Sequence, residues 1–259
     1  MSKIAITAIG VSFIFLMTTL GAATVFIFRK KLSDKLNCLF MGFASGLMIA
    51  ASVWSLLLPS IEQSDGYGSL KFLPAACGIV LGCLFLLLMD KIIPKLLVKK
   101  NKTESFSKKS FKLFLAVTLH NIPEGLAVGL AFGNAFILGE ISVFYSALWL
   151  AIGIGVQNLP EGAAISLPMR EDLHSNKKAF FFGAFSGLVE PIMAVVGIFL
   201  STALSSIMPW LLAFSAGAML FVVAEELLPD AKTPTSGHIG SWGFIVGFVI
   251  MMILDVALS

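Results

Sequence analysis

Charged residues are scarce in this chain. They make up 13% of its 259 residues, about half of the roughly 25% found in ordinary soluble domains. So little charge cannot cover a water-facing surface, which excludes a soluble globular enzyme and a nucleic-acid-binding protein. A disordered chain is excluded as well, because disorder requires low hydrophobicity, whereas 58% of these residues are hydrophobic and the mean hydropathy is +0.95.

Cysteine and histidine are also rare, with three of each. Cys38, Cys77 and Cys83 lie in or beside apolar stretches at spacings that match no metal knuckle, so we interpret them as packing residues. The sequence contains no H-E-x-x-H pattern, which marks many zinc peptidases. Neither a cysteine-rich nor a peptidase-type zinc site is therefore indicated.

Long apolar runs, by contrast, fill most of the sequence. Each run is long enough to cross a ~30 Å hydrocarbon core as a helix, and none shows the alternating pattern of barrel strands. We predict an all-α, polytopic membrane protein of eight transmembrane helices that forms a single domain over residues 1–259. The predicted spans are Ile4–Phe28, Leu36–Ile61, Phe72–Ile93, Phe111–Gly133, Val143–Pro168, Ala179–Leu204, Ile207–Pro229 and Gly240–Leu258.

The basic residues sort to one side of these spans. Alternate loops hold 16 of the 18 Lys and Arg, which leaves only Lys3 and Lys71 for the other side. The positive-inside rule makes the basic loops cytoplasmic, including the loop 94–110 between the third and fourth spans, where the longest polar stretch, Lys99–Lys112, lies. Eight spans then leave both termini outside the cytoplasm.

A doubled motif lies in the middle of the predicted bundle. The fourth span contains HNIPEG (His120–Gly125) and the fifth contains QNLPEG (Gln157–Gly162). One span runs outward and the other inward, so the motifs form a local inverted repeat at mid-depth, which is typical of a transporter site. In each motif the first residue and the glutamate are four apart and project from one helix face.

The chemistry of these motifs favours a metal ion. Carboxylates at mid-membrane are costly and usually face a cavity where they are functional. Glu124 and Glu161 repel each other unless protons or a cation lie between them. A mixture of imidazole, carboxamide and carboxylate groups suits zinc, and also iron, manganese or cadmium. The alternative is a pair of proline-kinked helices whose polar residues only form hydrogen bonds.

Other spans carry further polar candidates. Glu190, beside Pro191 in the sixth span, either completes a metal shell or pairs with a hydroxyl group as a packing residue. Met48 in the second span is either a gap-filling residue or a soft metal ligand. Four acidic residues are candidates for the ion pathway: Glu62, Glu225, Glu226 and Asp255. For the Glu225–Glu226 pair, a solvated helix end is an equally good interpretation.

The paired motifs resemble signature helices four and five of the ZIP (Zrt/Irt-like) family of divalent metal transporters. The resemblance covers nearly the whole chain and is to the bacterial branch, with further matches in GFASGLMIAASVWSLLLPSIE, SGLVEP, AEELLPD and MMILDVALS. It implies a 3+2+3 helix bundle with a two-metal site between helices four, five and six. It also implies that metal moves down its gradient or by an elevator-type shift of one bundle against another.

The resemblance assigns metal ligands by position. One metal would be held by His120, Glu124, Gln157 and Glu161, with Met48 nearby. The other would be held by Asn121, Asn158 and Glu190, with Glu124 and Glu161 as bridges. Gln157 stands where many relatives have histidine, and Asn158 where some have aspartate; both changes lower the ligand strength or charge of the site.

The motifs and the resemblance together predict a transporter of Zn²⁺, with Fe²⁺, Mn²⁺ and Cd²⁺ as related cargo, and the resemblance implies that the ions move into the cytoplasm. We expect a multi-pass protein of a bacterial inner membrane, with divalent ions and the lipid bilayer as partners and with no nucleic acid and no prosthetic group. Small-residue helix faces would support either internal packing or a homodimer seam. The alternatives are an intramembrane zinc-dependent hydrolase, which usually needs three strong ligands and an open water position, and a proton-coupled carrier of an organic solute.

Overall fold

The computed structural model describes residues 2–27, 33–100, 108–233 and 236–258. Throughout this part of the chain the regular structure is helical and no strand occurs, which confirms the all-α prediction. Eight long helical stretches follow in order: α1 Lys3–Phe26, α2 Asp34–Glu62, α3 Leu73–Lys100, α4 Lys108–Leu138, α5 Ile141–Leu173, α6 Asn176–Ala203, α7 Ser205–Asp230 and α8 Ile239–Leu258. A short 3-10 turn, Asp65–Leu70, lies between α2 and α3.

Seven of these stretches are long and apolar enough to cross a membrane, namely α1, α2 and α4 to α8. The predicted third span falls on α3, whose apolar part, Leu73–Met89, is shorter. Helix α3 continues to Lys100 and α4 begins at Lys108, so helix occupies both ends of the segment predicted as a loop over 94–110. Residues 101–107 of that segment lie outside the described residues. The chain is a multi-pass membrane protein.

Prolines interrupt two of the spans in the same way. In α2 and α7, the π-helical segments Ser52–Leu57 and Val223–Leu227 directly precede a Leu-Pro pair at Pro59 and Pro229. A proline offers no N–H to the carbonyl four residues back, and its ring crowds that carbonyl. The helix therefore widens locally, and such π turns are frequent at functional sites.

The helices pack as two groups of four. The most extensive contacts join α1 with α5 and α4 with α6 in one group, and α2 with α8 and α3 with α7 in the other. Glycines permit backbone-to-backbone contact within the groups, since a Cβ added at Gly46 would lie 2.1 Å from the Phe244 carbonyl oxygen and one at Gly162 would lie 2.2 Å from that of Thr18. The 3+2+3 arrangement stays a prediction.

Candidate metal centre

The two motifs meet where α4 and α5 run past each other. The Nε2 of Gln157 donates a hydrogen bond of 2.8 Å to Oε1 of Glu124, and both side chains are fully buried. Pro123 and Pro160 lie inside these helices, and the carbonyl of Pro123 accepts a 3.2 Å hydrogen bond from Ser215 on α7. The doubled sequence motif is thus a single three-dimensional cluster.

A break in α6 brings a third helix to this cluster. Pro191 cannot donate to the carbonyl of Gly187, and the helix is interrupted at Leu188. Just before the break, the carbonyl of the buried Ser186 accepts a 2.9 Å hydrogen bond from Nδ2 of Asn121. Just after the break, Oε2 of the fully buried Glu190 accepts a 2.7 Å hydrogen bond from Nδ2 of Asn158.

The three carboxamides of the cluster all use their nitrogen as a hydrogen-bond donor and leave their oxygen without a partner among the described residues. Asn121, Gln157 and Asn158 each donate through nitrogen to a neighbouring helix. Four oxygens are left buried and without a hydrogen-bond partner in the described part of the chain: Oδ1 of Asn121, Oε2 of Glu124, Oε1 of Gln157 and Oδ1 of Asn158. An unsatisfied buried acceptor costs about 1–3 kcal/mol. One cation would act as a partner for all four of these electron-rich oxygens.

Three carboxyl groups are concentrated at the same place. Glu124 lies within electrostatic range of both Glu161 and Glu190, and Glu161 is 8% exposed while the other two are fully buried. Carboxylates this close in an interior of low dielectric repel one another strongly unless a cation or protons intervene. Across the described residues, no group of three or more His, Cys, Asp and Glu side chains is arranged to hold a metal ion. The groups that converge here are carboxylates mixed with carboxamides.

His120 connects this cluster to the second helix group. Its Nε2 lies 2.6 Å from Oε1 of Glu226, on the π segment of α7. The His120 side chain is 7% exposed and that of Glu226 is 38% exposed, so the pair runs from the interior toward the surface. Glu225, on the same π segment, is exposed.

The remaining predicted residues belong to other helices, with Met48 and Glu62 on α2 and Asp255 on α8. Met48 is fully buried in the main apolar core, which contains residues of both helix groups. Asp255 accepts a 2.5 Å hydrogen bond from Ser55 on the π segment of α2. Asp255 and the exposed Glu62 line a cavity of about 490 Å³ together with Asn134 of α4.

Sequence reasoning missed two hydroxyl residues that touch the cluster, Thr18 and Ser215. Thr18 donates a 2.6 Å hydrogen bond from α1 to Oε1 of Glu190. A single serine or threonine in an apolar span usually bonds to its own helix, so no signal in the sequence distinguishes these two from the others.

A bundle of apolar helices around a buried cluster of carboxylates and carboxamides defines a multi-pass membrane protein with a polar site at its centre. The family model described as ZIP Zinc transporter matches residues 106–255, more than half of the chain. The chain belongs to the ZIP family of zinc transporters, as the resemblance of its motifs implied.

Individual relatives agree with this assignment over the full length. The chain is 35% identical to human zinc transporter ZIP11, with 97% of this chain and 96% of the relative covered. It is 35% identical to zinc transporter GufA of Myxococcus xanthus (93% and 94% covered) and 32% identical to zinc transporter ZIPB of Bordetella bronchiseptica (95% and 79% covered). These relatives are named as transporters and not as enzymes, which does not favour the hydrolase alternative.

Proposed function

We propose that this protein carries divalent cations, above all Zn²⁺, across the membrane into the cytoplasm through the cluster between α4, α5 and α6. The observation that carries the proposal is the set of four buried oxygens without partners beside three carboxylates. Buried polar groups rarely stay without a partner, and a bound cation would supply one partner for all four oxygens at once. The zinc-transporter relatives support zinc as the cargo.

Two ions share the bridging carboxylates in this proposal. Glu124 and Glu161 bridge, and the first ion adds the imidazole of His120, the carboxamide oxygen of Gln157 and the thioether of Met48. The second ion adds the oxygens of Asn121, Asn158 and Glu190. Mixed nitrogen and oxygen ligands suit Zn²⁺, Fe²⁺, Mn²⁺ and Cd²⁺, so these ions are expected to compete.

The pathway runs through the cluster from one face to the other. Asn134 lies about 15 Å beyond Glu124 along α4 at 1.5 Å per residue, in the cavity that Glu62 and Asp255 also line. This cavity is at the end opposite the basic loops, and we assign it as the outer entrance. On the other side, the contact between His120 and Glu226 provides a carboxylate for release toward the cytoplasm.

The two helix groups provide the moving parts. Four of the hydrogen bonds in the cluster join α1, α4, α5 and α6 to one another. The contacts from His120 to Glu226 and from Ser215 to Pro123 cross to the other group. We propose that the first group carries the ion while it shifts against the second, in a bacterial inner membrane crossed eight times with both termini outside.

The direct test is uptake of ⁶⁵Zn into proteoliposomes that contain the purified protein. We expect saturable uptake above protein-free vesicles, abolished by an external chelator and reduced by unlabelled Mn²⁺, Fe²⁺ or Cd²⁺. Uptake equal to that of protein-free vesicles would contradict the proposed function. A chelator-insensitive uptake of an organic solute would instead favour the carrier of organic solutes.

The entrance assignment makes a separate prediction. Asp255→Asn should raise the half-saturating zinc concentration about three- to tenfold with little change in maximal rate, because a charged mouth concentrates cations before they bind. Asp65→Asn is the matched control, since Asp65 is an exposed residue of the turn Asp65–Leu70 that follows α2. Equal half-saturation in both variants would remove Asp255 from the pathway.

A further inference from the structure

Glu190 is held through both of its carboxylate oxygens by helices other than its own. Oε1 accepts the 2.6 Å hydrogen bond from Oγ1 of Thr18 on α1, and Oε2 accepts the 2.7 Å bond from Nδ2 of Asn158 on α5. Glu190 is fully buried and Thr18 is 1% exposed. The orientation of this carboxylate is therefore set by α1 and α5 together.

The position of Thr18 is itself fixed by backbone packing. A Cβ added at Gly187 would lie 2.7 Å from Cγ2 of Thr18, and one at Gly162 would lie 2.2 Å from its carbonyl oxygen. Both glycines border residues of the cluster, one beside the α6 break and one at the end of the second motif. Because α1 lies in direct contact with α5 and α6 at this level, its backbone holds Thr18 beside Glu190, and the 2.6 Å contact with Glu190 is shorter than the 3.2 Å contact of the same hydroxyl with the carbonyl of Ile14.

The orientation of Glu190 affects the cluster through its hydrogen bond with Asn158. Its amide nitrogen is committed to Glu190, which leaves its Oδ1 as one of the four buried oxygens without a partner among the described residues. If Glu190 turned, Asn158 would lose this acceptor, and the bond that helps to direct its Oδ1 into the cluster would be gone. Thr18 thus influences the site indirectly, through its hydrogen bond to Glu190.

We propose that Thr18 is a positioning residue of the cation site: its hydroxyl holds Glu190 so that Oδ1 of Asn158 stays directed at the bound ion. This inference rests on the proposed function, because it assigns Thr18 a role in binding the transported cation. The hydroxyl group of Thr18 is what this role requires, and a side chain of the same shape without a hydroxyl cannot replace it.

Three variants separate hydroxyl, shape and general helix packing. Thr18→Val keeps the branched shape and removes the hydroxyl, whereas Thr18→Ser keeps the hydroxyl. Thr7→Val is the matched control, because Thr7 is a buried threonine of the same helix whose hydroxyl donates a 3.0 Å bond to the carbonyl of Lys3. All three are measured for zinc affinity by titration calorimetry and for ⁶⁵Zn uptake.

We expect Thr18→Val to weaken zinc binding about tenfold, the lower end of what a hydrogen bond to a charged group contributes. Its half-saturating concentration for uptake should rise to a similar degree, with a maximal rate within about twofold of wild type. Thr18→Ser and Thr7→Val should both resemble wild type. A loss of folded protein would lower the maximal rate and leave the half-saturating concentration unchanged, so a merely structural role gives a different result.

The inference is overturned if Thr18→Val binds zinc as Thr7→Val does, or if Thr18→Ser is as impaired as Thr18→Val. If the wild-type protein transports zinc and Thr18→Val transports it equally well, the role of Thr18 is contradicted but the proposed function is not. A wild-type protein that neither binds nor transports zinc contradicts the proposed function and this inference together.

Discussion

We expect zinc uptake to fall at least about a hundredfold when Glu124 is replaced by glutamine. Glutamine retains the size of the side chain and a group that can pair with Gln157, but it removes the negative charge and the carboxylate oxygen Oε2, which is buried without a partner in the described chain. Changes in residues that only surround a bound metal already cost 10- to 100-fold in affinity or activity. The loss of a ligand that bridges two ions should reduce uptake by at least the upper end of that range.

Glu140→Gln is the control for this charge removal. It makes the same chemical change at an exposed position in the turn that joins α4 to α5, the two helices of the motif. Its uptake should equal that of wild type. If Glu124→Gln transports as well as Glu140→Gln, then Glu124 is not a ligand of the transported ion.

A charge swap sharpens the same prediction. Glu124→Gln combined with Gln157→Glu preserves both the hydrogen bond between the two positions and the net charge of the cluster, and moves the carboxylate from α4 to α5. We expect the double variant to recover uptake to within about tenfold of wild type, because coupled neighbours are not additive. No recovery would mean that the position of the carboxylate matters more than its charge.

The helices and the pairing of the motifs could be predicted from sequence because both depend on local and periodic features. Continuous apolar runs without the alternating pattern of barrel strands leave helix as the structure that spans the membrane, and the repeated motif with its glutamate and proline predicts that its polar side chains converge. The contacts of Gln157 with Glu124 and of Asn158 with Glu190 join residues that the sequence had already placed together.

Other features could not be predicted because they depend on helix packing over long separations in the chain. The contact between His120 and Glu226 and that between Thr18 and Glu190 join residues more than 100 positions apart. The π segments before Pro59 and Pro229 had a signal in the prolines themselves. A proline, however, predicts a disturbed turn without predicting which irregular form it takes.

The second large effect concerns the contact between α4 and α6, where Gly125→Ala should reduce zinc uptake at least about a hundredfold. Gly125 is the last residue of the first motif, and a Cβ built there would lie 2.3 Å from the carbonyl oxygen of Glu190 and 2.8 Å from its Cα. Both atoms are backbone, so no side chain can turn away to make room. The two helices would have to separate, which would pull the carboxylate of Glu190 away from Asn158.

Two glycines supply the controls for this overpacking. Gly66→Ala meets nothing within 4 Å and should leave both uptake and thermal stability unchanged. Gly129→Ala would place its Cβ 2.2 Å from the carbonyl oxygen of Ala194 on the same helix pair, one turn farther along. The alanine substitutions at Gly125 and Gly129 should each lower the free energy of unfolding by about 1–3 kcal/mol, the usual cost of overpacking.

The comparison of the two tight glycines separates stability from function. If the site depends on the distance between Gly125 and Glu190, the folded fraction of Gly125→Ala should bind zinc much more weakly than that of Gly129→Ala. Calorimetric zinc affinity and thermal unfolding of detergent-purified protein measure the two quantities independently. Equal zinc affinities in the two variants would mean that the α4–α6 contact serves packing alone and that the placement of Glu190 tolerates a helix shift.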